Sequence, residues 1–174
     1  MFTKTNIEQY FVAFKNEQLF LIIVGSVAII VAIVFFAGLK TQWYKGFALP
    51  LAVFAVLNIG AGFSNYKKTD TLKVRSVYNY DMHPELLKTK ELPRIKEMNK
   101  NFTVLIYVNI SIIFAAAFIF FYFKKKDENE YYLGVAASLF LVAVLSVVMY
   151  SIMKNRSNNY ESGIINYTKT IIVK

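Results

Sequence analysis

Four stretches of the chain, residues 19–39, 46–64, 102–123 and 131–153, run without a single Asp, Glu, Lys or Arg. Each is between 19 and 23 residues long. A helix rises about 1.5 Å per residue and the hydrocarbon core of a bilayer is about 30 Å thick, so roughly 20 residues suffice to cross it. One such run would fit a buried core helix. Four in 174 residues do not, because a soluble domain spreads its apolar positions as stripes with polar residues between them. The pattern predicts an all-α fold, a four-span transmembrane helical bundle of two hairpins with a small cytoplasmic helical cap. A cleavable signal peptide is the rival reading of the first run. That run exceeds the roughly 7–15 residues of a signal core, and the lead before it is long and partly acidic, so it is expected to be retained.

The segments between the runs carry their own signals. In the lead, residues 1–18, Thr5-Asn6-Ile7-Glu8 fits a capping box, and Ile7, Tyr10, Phe11 and Phe14 follow at helical spacing. This predicts a short amphipathic helix lying on the cytoplasmic membrane surface and joined to the first span. Residues 40–45 and 124–130 are short turns, the first containing Trp43 and Tyr44 and the second flanked by Tyr122, Tyr131 and Tyr132, the aromatic belt expected at headgroup level. Such short connections make hairpins of residues 19–64 and 102–153. Pro50 is expected in the first turns of span two, where its missing amide costs little.

The connection at residues 65–101 predicts folded helix. Val74, Val77 and Tyr78 share a face that would extend span two, and Pro84 and Pro93 each suit an early helix position. Leu86, Leu87, Leu92, Ile95 and Met98 are expected to turn inward. In the tail, residues 154–174, a helix to about Glu161 should end at Gly163 as a C-cap, and Thr170-Ile171-Ile172-Val173 favours an extended segment.

Charge sets the orientation. Lys and Arg in short loops stay cytoplasmic. The lead, the middle connection and the tail together hold fifteen basic residues against five on the other side, which predicts both termini cytoplasmic. The formal net charge of +9 therefore concentrates under the membrane without a compact soluble domain around it. Nucleic-acid binding is excluded as a reading, and attraction to lipid headgroups, about 1 kcal/mol per basic residue near the surface, accounts for it. Lys67, Lys68, Lys73, Arg75, Lys88, Lys90, Arg94 and Lys96 are the expected contacts to membrane lipids or to a protein partner.

Candidate chemistry is sparse. With no cysteine, disulfides, thiolate metal sites and cysteine nucleophiles are excluded. The four runs contain no ionisable carboxylate or cation, which argues against an ion-coupled transporter. Asp81 and Glu85 flank the one histidine, His83; the residue types suit a metal or acid-base work, but an Asp and a Pro at a helix start are also what capping requires. No P-loop, zinc-helix or dinucleotide motif is present, and no cofactor is expected. Small residues recur in every run, among them Gly25, Ala28, Ala55, Gly62, Gly134 and Ser138, as close helix approach in lipid requires. Asn58 and Asn109 are costly in hydrocarbon unless paired. They lie at matching depth in spans two and three, and are expected to meet as an interhelical polar contact if those spans are neighbours.

In length, span number, basic charge and lack of intramembrane charge, the chain resembles the four-span immunity proteins that protect bacteria from pore-forming bacteriocins. The likeness is one of architecture and carries no residue over. It implies a non-enzymatic protein of a bacterial inner (plasma) membrane acting through protein contacts, as an immunity-like protein or an accessory subunit of a membrane complex. The alternatives are a small oligomeric channel or carrier, with a second copy as partner, and an enzyme acting on lipid at the cytoplasmic face.

Overall fold

A computed structural model describes residues 2–124 and 129–172, with backbone alone for residues 170–172. All regular structure among the described residues is helical. Helix α1 (Lys4–Ile33) continues into a π-helical turn (Val34–Gly38), and α2 spans Gln42–Met82. Helix α3 (Pro84–Leu86), a second π-helical turn (Leu87–Glu91) and α4 (Leu92–Phe123) follow one another without a break. The last helix, α5, covers Glu130–Ile172. Four of these paths are long and apolar enough to cross a membrane.

Several boundaries differ from the sequence reading, each for a local reason. The N-cap is Thr3 rather than Thr5: Asn6 Oδ1 accepts from the Thr3 amide at 2.8 Å and from its hydroxyl at 2.7 Å. Helix α1 then runs straight through the lead, so residues 4–18 extend the first apolar helix and are not a separate surface helix. Their apolar face, Ile7, Tyr10, Phe11 and Phe14, is buried against protein. Helix α2 starts at Gln42, which shortens the expected turn and puts Pro50 inside the helix, beyond its first turns. Along its extension the buried positions are Thr69, Ser76 and Asn79, while Val74 and Tyr78 point outward.

Pro93 takes an early position of α4, as expected, where its missing N–H costs little, and the π turn before it carries the helical path on from α3. Gly163 does not end α5, and the tail is helix through Ile172, not an extended segment. The Phe2 ring lies where a Cβ on Gly163 would project, so this glycine serves close packing. The expected turn at residues 124–130 falls largely on residues 125–128, outside the described residues, as do Val173 and Lys174.

Small residues set the packing. Helix α1 lies antiparallel along α2, and a Cβ on Gly25 would come 2.9 Å from the Ala55 carbonyl oxygen, one on Gly62 2.9 Å from that of Gln18. Ala28, Ala32, Ala48, Leu51, Phe54 and Ala55 form the apolar core of this pair. Helix α2 lies parallel to α5. At one end, a Cβ on Gly46 would collide with the Tyr131 carbonyl, and one on Gly134 with that of Trp43; at the other, Tyr80 stacks on Tyr167 at 4.7 Å. Helix α4 packs antiparallel on α5, with Phe102 on Tyr150 at 6.3 Å and Phe123 on Tyr132 at 4.6 Å. Helices α2 and α4 scarcely touch, and the space between them positions the site.

Candidate functional site

Where α1, α2, α4 and α5 converge beyond the apolar runs, Ile7, Tyr10, Phe11, Leu87, Ile95 and Ile164 build a hydrophobic core with Tyr160. Leu87 and Ile95 are buried as expected, and Leu92 and Met98 pack against them. A charged residue lies at the centre. Glu91 is 2% exposed, carried inward by the π turn, and Arg94 one helical turn on grips it with two bonds: Nε to Oε2 at 3.0 Å and Nη2 to Oε1 at 2.6 Å. The Tyr160 hydroxyl donates to Glu91 Oε1 at 3.3 Å. Tyr10 stacks face to face on Tyr160 at 4.0 Å, and the Arg94 guanidinium lies over the Phe11 ring at 5.6 Å. Burial holds the Tyr10 and Tyr160 hydroxyls well above the usual phenol range, and the Glu91 charge adds to the shift, so both remain protonated.

A ring of polar contacts surrounds this centre and ties each helix to its neighbour. Asn99 Nδ2 donates to Glu161 Oε2 at 2.6 Å, joining α4 to α5. Arg156 Nη1 lies 3.0 Å from Glu17 Oε1, joining α5 to α1. Burial raises the Glu17 carboxyl above its ordinary range, with Arg156 opposing the shift. Lys4 meets Asp81 at 2.9 Å and Lys15 meets Asp70, joining α1 to α2. The sequence reading missed this network because its residues flank the four runs. The one legible signal was the i, i+3 spacing of Glu91 and Arg94.

Above the Glu91–Arg94 pair lies a cavity of roughly 550 Å³, bounded by all four long helices. Its buried wall is Phe14, Gln18 and Leu21 of α1 with Met153 of α5. Gln18 Oε1 accepts from Asn65 Nδ2 at 3.3 Å across the α1–α2 seam. The cavity opens into the gap between α2 and α4, which scarcely touch.

The residues singled out from sequence fall in different places. Asn58 lines the cavity and Asn109 does not. Contrary to expectation the two amides do not meet: Asn58 Nδ2 donates to the Phe54 carbonyl and Asn109 Nδ2 to the Leu105 carbonyl, each at 2.8 Å within its own helix. The reason is that span two neighbours span four, not span three. Arg94, expected as a headgroup or partner contact, is turned inward onto Glu91. Lys68 reaches the cavity mouth, and Lys67 lies over the Phe63 ring at 4.3 Å. Arg75, Lys88, Lys90 and Lys96 are exposed, Lys73 half-buried. Asp81 is taken by Lys4, while His83 Nδ1 lies 3.4 Å from Glu85 Oε1; the three do not converge on one point.

A cavity with apolar walls at one end and polar ones at the other can hold an amphiphile, and the gap between α2 and α4 gives access from the side. The sequence matches no protein-family model, and neither the curated proteins nor the solved structures yield a match to it.

Proposed function

We propose that the chain is a non-enzymatic integral membrane protein that crosses the bilayer four times as two helical hairpins. Both termini and the polar helical end face the cytoplasm of a bacterial inner membrane, and the protein acts through contacts with another membrane protein, in the manner of an immunity protein or an accessory subunit. The observation that carries this reading is the outward face of α4. Only Ile95, Asn99 and Ala116 of that helix are buried, and Val104, Val108, Phe114, Phe118 and Phe121 project away from the bundle. In lipid, helices associate by packing rather than by a hydrophobic drive, and α4, the least buried of the four long helices, leaves the most surface for another helix to pack against.

The orientation rests on the excess of basic residues in the lead, the middle connection and the tail, and is tested with single introduced cysteines in a chain that has none of its own. Lys88→Cys should label only after the membrane is opened, and Tyr44→Cys from outside. External labelling at position 88 sinks the topology. Function is tested by purification in mild detergent followed by mass spectrometry. A stoichiometric membrane protein should co-purify and be lost on Phe114→Ala/Phe118→Ala. Self-assembly with conductance in planar bilayers would instead establish the channel reading, which the same face would serve.

A further inference from the structure

The cavity between α2 and α4 is graded along its length. Towards the apolar runs its mouth is edged by Leu57 and Ala61 on α2 and by Phe102 and Leu105 on α4; below these come Asn65 and Lys68 on one side and Glu97 and Asn101 on the other. From Leu57 to Lys68 is about 16 Å at 1.5 Å per residue, the depth over which a bilayer passes from acyl chain to headgroup. The charges at the polar end balance. Lys68 has no carboxylate partner and Glu97 no cation partner among the described residues. The charge of Arg94 is cancelled by Glu91, which occupies Nε and Nη2 and leaves Nη1 directed elsewhere. A purely anionic head would face Glu97, and a purely cationic one Lys68. A head carrying one phosphate and one ammonium satisfies both.

We infer that this cavity is a binding site for a zwitterionic phospholipid with a primary ammonium headgroup. Its phosphate lies at Lys68 and the Arg94 Nη1 edge, its ammonium at Glu97, and an acyl chain leaves through the gap between α2 and α4 past Leu57 and Leu105. The amides of Gln18, Asn58, Asn65 and Asn101 supply donors and acceptors for the glycerol and ester oxygens. A primary ammonium is favoured over a quaternary one because it donates hydrogen bonds to the Glu97 carboxylate, and charge-assisted bonds are the strong ones. The cavity volume, within the range of sites that hold small ligands, admits the headgroup and first carbons of a chain and leaves the rest in the bilayer.

This inference rests on the membrane reading above, and the two fail separately. Loss of the full-length chain from the membrane pellet in alkaline carbonate would defeat membrane insertion. With insertion intact, the lipid site is tested by native mass spectrometry of the detergent-solubilised chain titrated with phosphatidylethanolamine, phosphatidylcholine and phosphatidylglycerol of identical acyl chains. Phosphatidylethanolamine should be retained best. Lys68→Ala should weaken it about tenfold, the loss of one charge-assisted contact. Glu97→Gln should shift preference towards phosphatidylglycerol. Both side chains are at the mouth, and unchanged circular dichroism certifies the fold of each variant. Leu105→Trp, which narrows the gap without touching the charged groups, should lower retention of all three lipids. Equal retention of the three, preference of the unaltered chain for phosphatidylglycerol, or variants that bind as it does would each overturn the proposal.

Discussion

Glu91 and Arg94 illustrate how much a single side chain can decide in a chain this apolar. Taking a carboxylate to 2% exposure is costly unless its charge and lone pairs are met, and the two-pronged Arg94 bond with the Tyr160 hydroxyl meets them. Burial works against the guanidinium, but the hydrogen bond and charge of Glu91 outweigh it and raise the Arg94 pKa. Removing one partner should therefore hurt more than removing both. Glu91→Gln should cost about 3 kcal/mol, because Arg94 stays behind partly buried and unneutralised. The double variant Glu91→Gln/Arg94→Met should recover part of that loss in detergent unfolding followed by tyrosine fluorescence. A double variant no better than the single one would show that the pair is not coupled. The spacing of the pair is visible in sequence, but its burial is not. Read as an exposed i, i+3 pair on a helical extension, Arg94 looks like a headgroup contact, and only the π turn at Leu87–Glu91 turns it inward.

At the scale of the helix, the packing depends on glycines that approach backbone rather than side chains. Gly46 and Gly134 face each other's helix across the start of the α2–α5 seam, where carbonyl oxygens occupy the space a Cβ would need. A carbonyl in a helix cannot swing aside as a side chain can, so the two helices must separate. Gly134→Ala is expected to cost about 2–3 kcal/mol in detergent unfolding, although alanine is intrinsically the better helix former. Gly60→Ala is the control. Nothing lies near a Cβ at Gly60, and its substitution should be neutral or slightly stabilising. The four long helices were legible because each is built on an uninterrupted apolar run of the length that hydrocarbon would demand. Their ends were less so. The Thr170-Ile171-Ile172 preference for extended structure is weak, and α5 overrides it with Ile164 and Thr168 buried against the bundle. Gly163 looked like a cap because the partner that fills its empty side, Phe2, lies at the far end of the sequence.

Across the whole molecule, the order of helices is what sequence conveyed least. Short connections predict that α1 neighbours α2 and α4 neighbours α5, but they leave open which member of one pair meets which member of the other. The glycines decide it. Gly46 and Gly134 bring α2 against α5 as parallel neighbours, Tyr80 and Tyr167 close the same seam at its other end, and α1 and α4 are left to flank this central pair. Asn58 and Asn109 are thereby separated, each bonded to its own helix, and the lateral gap between α2 and α4 follows from the same arrangement. The order is testable in a chain that contains no cysteine. A pair introduced at Phe47 and Tyr131, across the glycine seam, should be joined by a short bifunctional thiol reagent, whereas a pair at Asn58 and Asn109 should not, with joined tryptic peptides as the readout. Efficient joining of the second pair and none of the first would place span two against span three. In that case the cavity would have no lateral mouth, and the original expectation for the two asparagines would stand. The same asparagines supply a thermodynamic check: Asn58→Leu and Asn109→Leu should change stability additively, within about 0.5 kcal/mol, as groups without a shared partner do.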